Sequence, residues 1–270
     1  MSDPAAIWRR LAGLTPARIG LGRAGSGLPT REVLRFGLDH AQARDAVHAP
    51  LDEEILARGI GNLGFATRTV SSQAHDRATY LRRPDLGRRL APEDRAALEA
   101  EAVQADLALV VADGLSARAV HENAVPFLAA FRRHAAKAGW RLAPVVIARQ
   151  ARVALGDEIG GALAGRAVAV LIGERPGLSS PDSLGIYLTF GPRLGRSDAE
   201  RNCISNVRSA GLTHDLAAFK LDWLLTRAFN LGLTGVALKD ESDQVLLGGA
   251  QTAALPGQPD VQVEGHSRSR

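Results

Sequence analysis

The 270 residues are 46% hydrophobic, enough to bury a sizeable core in one large domain or two unequal ones. No run approaches the roughly 18 uninterrupted apolar residues of a membrane span, and the start, MSDPAAIWRRLAGLTPARIG, lacks a signal peptide's apolar stretch, so a cytoplasmic protein is expected. The 33 Lys plus Arg exceed the 29 Asp plus Glu by only four, are nearly all Arg, and form no block, while aromatics at 4% offer few platforms for stacking bases; nucleic acid is not an expected partner.

Up to about Leu90 the chain reads as helix and loop. TREVLRFGLDHAQARDAV, opening at Thr30, predicts a helix whose apolar edge is Val33, Leu34, Phe36 and Leu38. LDEEILARGI predicts a shorter helix with its acids early, where the helix dipole favours them. YLRRPDLGRRL then breaks regularity at Pro84 and Gly87 while holding four arginines, which suits either docking on an acidic surface or a solvated loop.

From Pro92 the pattern changes. PEDRAALEAEAV is a helix with proline at its first position. LALVVADG is an apolar run ending in Asp113 and Gly114, and a long helix follows from Ser116 as N-cap, to be kinked or divided at Pro126. APVVIAR, the short helical DEIGGALAG, AVAVLIGERPG and IYLTFG come next, and LTHDLAAFKLDWLLTRAFNLG gives a strongly apolar closing helix. Short apolar runs alternating with helices indicate βα units. The expected fold is α/β: a helical N-terminal region over 1–90, a doubly wound, mainly parallel sheet domain over 91–240, and a disordered tail over 241–270, rich in Gly, Gln, Pro and Ser.

Four stretches could carry chemistry. GLGRAG, Gly20 to Gly25, matches the dinucleotide fingerprint, but that motif needs a buried strand before it and a helix at once after it. LTPARI is too short and polar for such a strand, so a structural loop is the better reading, with a stand-alone nucleotide-binding or oxidoreductase domain as its rival. ADGLSAR lies at the carboxyl end of a strand, where α/β sheets bind ligands; Asp113 and Ser116 either face a ligand there or satisfy backbone donors in the turn. In GERPG, Glu174 stands at the equivalent end of another strand, either paired with Arg175 or accepting from a polar ligand group. Cys203, the only cysteine, forms no intrachain disulfide and by its type is a small buried hydrophobe more often than a reactive thiol. The seven histidines are dispersed, and no complete catalytic or metal-binding set is present.

RAGSGLPTREVLRFGLDHAQARDAV, YLRRPDLGRRL, VADGLSARAV, LIGERPGLSSPDSLGIYLTFGPR and RNCISNVRSAGL, taken together and in this order, resemble the small (light) subunit family of ethanolamine ammonia-lyase. The resemblance runs from about Arg18 to about Leu231. It implies a helical N-terminal portion, a Rossmann-like domain, and membership of an adenosylcobalamin-dependent carbon–nitrogen lyase that converts ethanolamine to acetaldehyde and ammonia. The implied partner is a large barrel subunit carrying the radical chemistry, in a hetero-dodecamer of six large and six small subunits, with cobalamin at the interface. By motif, the implied cofactor contacts are Val153 in RVALGDEIG, Glu174 in GERPGL and Cys203 in NCISN, with no catalytic residue and no metal ligand on this chain. D-x-H-x-x-G, the motif that displaces cobalamin's own base, is absent, which fits base-on binding. Relatives can carry a longer N-terminal extension linked to a bacterial microcompartment. About 17 residues precede the resemblance here, so a cytoplasmic location is expected, with the microcompartment as the alternative.

Overall fold

The computed structural model describes residues 4–15 and 17–245, so nearly all of the tail expected over 241–270 lies outside the described residues. The chain divides into two units, Met1–Lys239, which holds every element named below, and Asp240–Arg270.

Helix α1 (Pro4–Ala12) leads through an irregular stretch to α2 (Thr30–His48) and α3 (Glu53–Asn62), whose N-cap Asp52 accepts from the Ile55 N–H. GLGRAG lies in the irregular stretch, with positive φ at Gly20, Gly22 and Gly25 and neither strand before nor helix at once after it. The apolar edge of α2 is uncovered in this chain: Val33, Leu34, Phe36 and Leu38 are 52%, 69%, 48% and 58% exposed.

The stretch before residue 90 is more than helix and loop. β1 (Thr67–Ser71) pairs in parallel with β3 (Val145–Arg149) at the sheet edge. The short helix α4 (Arg77–Arg82), a 3-10 turn over Leu86–Arg88 and α5 (Pro92–Ala100) follow, with Pro92 in the first turn of α5. The core strands are β2 (Ala105–Ala112), β4 (Gly165–Gly173), β5 (Leu184–Phe190) and β6 (Asn202–Val207), alternating with α6 (Ala117–Ala138), α7 (Leu155–Ala162) and α8 (His214–Leu231). Strand order is β1-β3-β2-β4-β5-β6; β5 alone runs antiparallel to its neighbours β4 and β6. This is the expected mixed α/β, mainly parallel architecture.

Residues of β2 and β4 are buried on both faces, as a covered parallel sheet requires. On one face Leu107, Leu109 and Val111 join Ala167, Ala169 and Leu171 in a core with α3, α6 and α8. On the other, Ala108, Val110, Ala112, Val168, Val170 and Ile172 meet Leu98 of α5 and Leu155 and Ile159 of α7. α7 comes very close: a Cβ on Gly156 would stand 2.2 Å from Val170 Cγ2. Pro126 does not divide α6. Its ring is exposed, so water can take the Glu122 carbonyl it frees, and buried Phe127, Leu128 and Phe131 hold the helix together against a cost of about 3 kcal/mol. Among the described residues no helix is long and apolar enough to cross a membrane.

Candidate functional site

Strand order reverses between β2 and β4, so the carboxyl ends of these strands flank the crevice where open α/β sheets receive ligands. Here the chain itself fills that crevice. The buried Asp113 carboxylate accepts from the N–H groups of Gly114 (2.9 Å), Gln150 (2.9 Å) and Ala151 (2.9 Å), with the Arg77 guanidinium 3.6 Å away. Burial pushes the Asp113 carboxyl up, against those donors and Arg77. Ser116, fully buried, caps α6 at Ala119 N–H and donates to the Pro181 carbonyl. Gly114, at φ 56°, abuts the Gly173 backbone so tightly that a Cβ would fall 2.3 Å from its carbonyl oxygen. Of the two readings of Asp113 and Ser116, the structure takes the backbone one.

Open surface begins one strand further along. Leu184, Ile186 and Leu188 of β5 point into the first core, so Gly185 and Tyr187 take the opposite face, and Tyr187 sits directly across from Cys203 of β6. α7 covers β4 on that face, but Cys203 and Ser205 are exposed there. Cys203 is therefore not the buried hydrophobe its type suggests: alternation along β6 sends Ile204 inward and the sulfur outward. Desolvation by the surrounding chain, with the Glu174 charge, pushes the thiol up, although Tyr187 hydrogen-bonds it. A raised value favours the protonated thiol at neutral pH. The Tyr187 hydroxyl is pushed up too, by burial first and then by Cys203 and Glu174, so it keeps its proton at neutral pH.

Glu174 follows the last residue of β4, and its carboxylate lies over Gly185, where a Cβ would come within 3.0 Å of Oε1. It does not pair with Arg175, which is exposed. It accepts instead from Ser183 Oγ at 2.5 Å, Ser205 Oγ at 2.6 Å and the Asn206 N–H at 3.4 Å.

Val153 sits in the turn between β3 and α7, half-buried against the same second core as Tyr187. Its carbonyl accepts from Gly156, Gly156 packs on Val170, and Val170 pairs with Tyr187, which pairs with Cys203. Glu174 and Cys203 are thus electrostatic neighbours, and Val153 is connected to them only by way of Gly156, Val170 and Tyr187.

Tyr80, Gly87 and Arg89 of YLRRPDLGRRL brace this arrangement, while Arg82, Arg83 and Arg88 stay exposed. The Arg152 guanidinium stacks on Tyr80 at 4.2 Å and donates to the Tyr80 carbonyl, while Arg152 N–H donates to the Gly87 carbonyl. Arg89 and Arg95 each reach the buried Glu158 of α7 at 2.5 Å. A second brace is a buried ion pair between Arg201 and Asp157, side chains 2% and 3% exposed. It ties the helix that follows Val153 to the segment that leads into Cys203. Sequence reading missed Tyr187, Ser183, Ser205, Asp157 and Arg201. Only Tyr187 had a usable signal, its two-residue phase opposite to Leu184, Ile186 and Leu188.

The fold and site define an α/β protein with an exposed face on β5 and β6 beside a switch crevice that the chain itself fills. Residues 5–239 match the family described as ethanolamine ammonia-lyase light chain (EutC), and the chain belongs to that family. The match extends the resemblance at both ends, past Arg18 and past Gly232. The chain is 55% identical over 251 residues to the ethanolamine ammonia-lyase small subunit of Xanthomonas campestris pv. campestris, covering 92% of each chain. It is 52% identical over 250 residues to that of Rhodopseudomonas palustris, covering 92% of this chain and 96% of the relative. To that of Azotobacter vinelandii it is 52% identical over 247 residues, covering 90% and 92%.

Proposed function

We propose that this chain is the small subunit of an adenosylcobalamin-dependent ethanolamine ammonia-lyase, turning ethanolamine into acetaldehyde and ammonia together with a large subunit. In this reading the sheet with helices on both faces is a Rossmann-like, doubly wound fold, the assembly is a hetero-dodecamer of six large and six small subunits, and the chain is cofactor-contacting but non-catalytic. The observation that carries it is Glu174: a carboxylate at a strand end, held by two hydroxyls and an amide N–H, with no cation on it.

The residues fit such a group. A carboxylate offers about four acceptor sites, and three are used here, so Glu174 retains capacity for an amide donor of the kind that fringes a corrin ring. Val153 and Cys203 present small surfaces to a large flat ligand, and the Tyr187 ring forms floor between them. Adenosylcobalamin supplies the radical that the reaction needs. This chain's residues bind it, orient it and exclude water from one side. The large subunit is placed against the uncovered edge of α2, where four large apolar side chains stand in solvent in the chain alone.

The test is co-expression with the large subunit and titration of the purified complex with cyanocobalamin, followed by absorbance. Stripping a partner from a buried polar group costs about 1–3 kcal/mol, so Glu174→Ala should raise Kd about ten-fold or more. An unchanged Kd in an intact complex would remove Glu174 from the cofactor site.

A further inference from the structure

We infer that Ser183 and Ser205, with the backbone of Asn206, are positioning residues: a collar that fixes the Glu174 carboxylate in the orientation in which its free acceptor sites meet the cofactor. The inference rests on the cobalamin reading above and extends it to residues of the LIGERPGLSSPDSL and NCISN stretches that this reading leaves without a role.

Each arm of the collar is built by a local feature of the chain. Ser183 is 6% exposed and immediately precedes β5, and its own carbonyl accepts from the Glu174 N–H, so one residue grips both the backbone and the side chain of Glu174. Ser205 and Asn206 reach across from β6. The β5–β6 register shifts between Leu184 and Ile186, and Asn206 holds a left-handed φ of 60°. Such a backbone costs a non-glycine residue free energy and persists only where the surroundings fix it. They do: Leu212 N–H donates to the Asn206 carbonyl at 2.8 Å, and Gly211 lies so close that a Cβ there would fall 2.4 Å from that oxygen. This bend turns the Asn206 N–H and the Ser205 hydroxyl towards one carboxylate. Oε1 takes Ser205, and Oε2 takes Ser183 and Asn206. The two oxygens are therefore held from opposite sides, and rotation of the carboxylate breaks a bond in either sense. Without the collar, the exposed guanidinium next door in sequence, Arg175, is an alternative partner for Glu174. That pairing would turn the carboxylate out of the site.

A double-mutant cycle on the co-purified complex, read as the Kd of cyanocobalamin, tests this. The single variants Ser205→Ala and Ser183→Ala should each raise Kd about three- to ten-fold, in line with one charge-assisted hydrogen bond. In the Glu174→Ala background the same serine changes should have no further effect, because they act only through that carboxylate. Ser205→Thr, which keeps the hydroxyl and suits a strand, should restore binding. Serine effects that persist undiminished in the Glu174→Ala background, or single variants with wild-type Kd, overturn the collar. If Glu174→Ala itself leaves Kd unchanged, the cobalamin reading of Glu174 fails first, so the two failures are distinguishable. Ser205 is exposed on an edge strand, so its variant keeps the cycle usable even if Ser183→Ala weakens folding.

Discussion

Replacing Arg201 with Met should destabilise the protein in a pH-dependent way and loosen the site without touching it. Arg201 donates to Asp157, to Asp198 Oδ1 at 2.8 Å and to the Arg196 carbonyl at 3.0 Å, with its side chain 2% exposed. Methionine fills much of the volume, so the loss is electrostatic: it strands the Asp157 carboxylate in a site 3% exposed. Breaking a buried pair from one side costs about 3–5 kcal/mol, which for a chain of this size lowers Tm by about 6–20 °C. Burial already pushes the Asp157 carboxyl up, with Arg201 as the chief opposing influence. Removing Arg201 raises it further, so the folded variant holds a proton that the unfolded chain releases near the ordinary 3.8.

The sign then follows from linkage: a raised folded value favours the fold at low pH and loses that advantage as pH rises, by up to about 1.4 kcal/mol per pH unit. Urea unfolding at pH 5 and pH 8 should show the larger deficit at pH 8. Asp157→Asn combined with Arg201→Met should recover most of it, because no charge is then stranded. Because the pair ties α7 to the start of β6, the single variant should also weaken cyanocobalamin binding to the complex. A deficit below about 1 kcal/mol, or one equal at both pH values, would refute the reasoning.

Gly156→Ala gains about 1 kcal/mol of helix propensity but forces a Cβ to 2.2 Å from Val170 Cγ2, so overpacking should win by about 1–2 kcal/mol in urea unfolding; a variant as stable as wild type would contradict the close approach. His214 donates through Nε2 to Asn123 Oδ1 at 2.9 Å, since the Asn123 amide nitrogen is already committed to the Ala119 and Asp182 carbonyls. Burial lowers the His214 imidazole below its ordinary 6.5, so its contribution is full above that value and is lost as pH falls through the folded one. Acid unfolding of His214→Gln should accordingly be shallower than wild type over that window, and identical slopes would count against it. Leu34→Asp with Leu38→Asp, one turn apart on α2, should cut co-purification with the large subunit at least about thirty-fold, as loss of a central apolar anchor does, while leaving the small chain's own Tm in place; undiminished capture would move the docking face elsewhere.

Strands that run through the core were legible in the sequence because burial on both faces demands unbroken apolar runs, as in LALVVA and AVAVLIG. β1 was not. TRTVS buries only Val70, and its place in the sheet comes from backbone pairing with β3, which leaves no mark on hydropathy. β6 escaped for a related reason: NCISNV alternates inward Ile204 with outward Cys203 and Ser205, then breaks phase at the bulge. Pro126 misled because its local cost was visible while the tertiary contacts that outweigh it were not. Among site residues, Glu174 could be singled out by its place at a strand end, but its partners lie 9 and 31 residues away. Charge pairs such as Asp157 with Arg201, 44 residues apart, are invisible until the sheet brings them together.

The arginines illustrate how one composition serves two ends. Arg89 and Arg95 converge on Glu158, and Arg77 and Arg152 both stack on Tyr80, so these four arginines help to hold α7 and the Val153 turn in place. The same economy governs the sheet. Asp113, Gly114 and Gly173 fill the switch crevice from within the chain. The face left open among the described residues is that of β5 and β6, where Cys203 and Ser205 are exposed. On the proposed reading, a large ligand bound there would leave its far side in water until a second polypeptide closed over it.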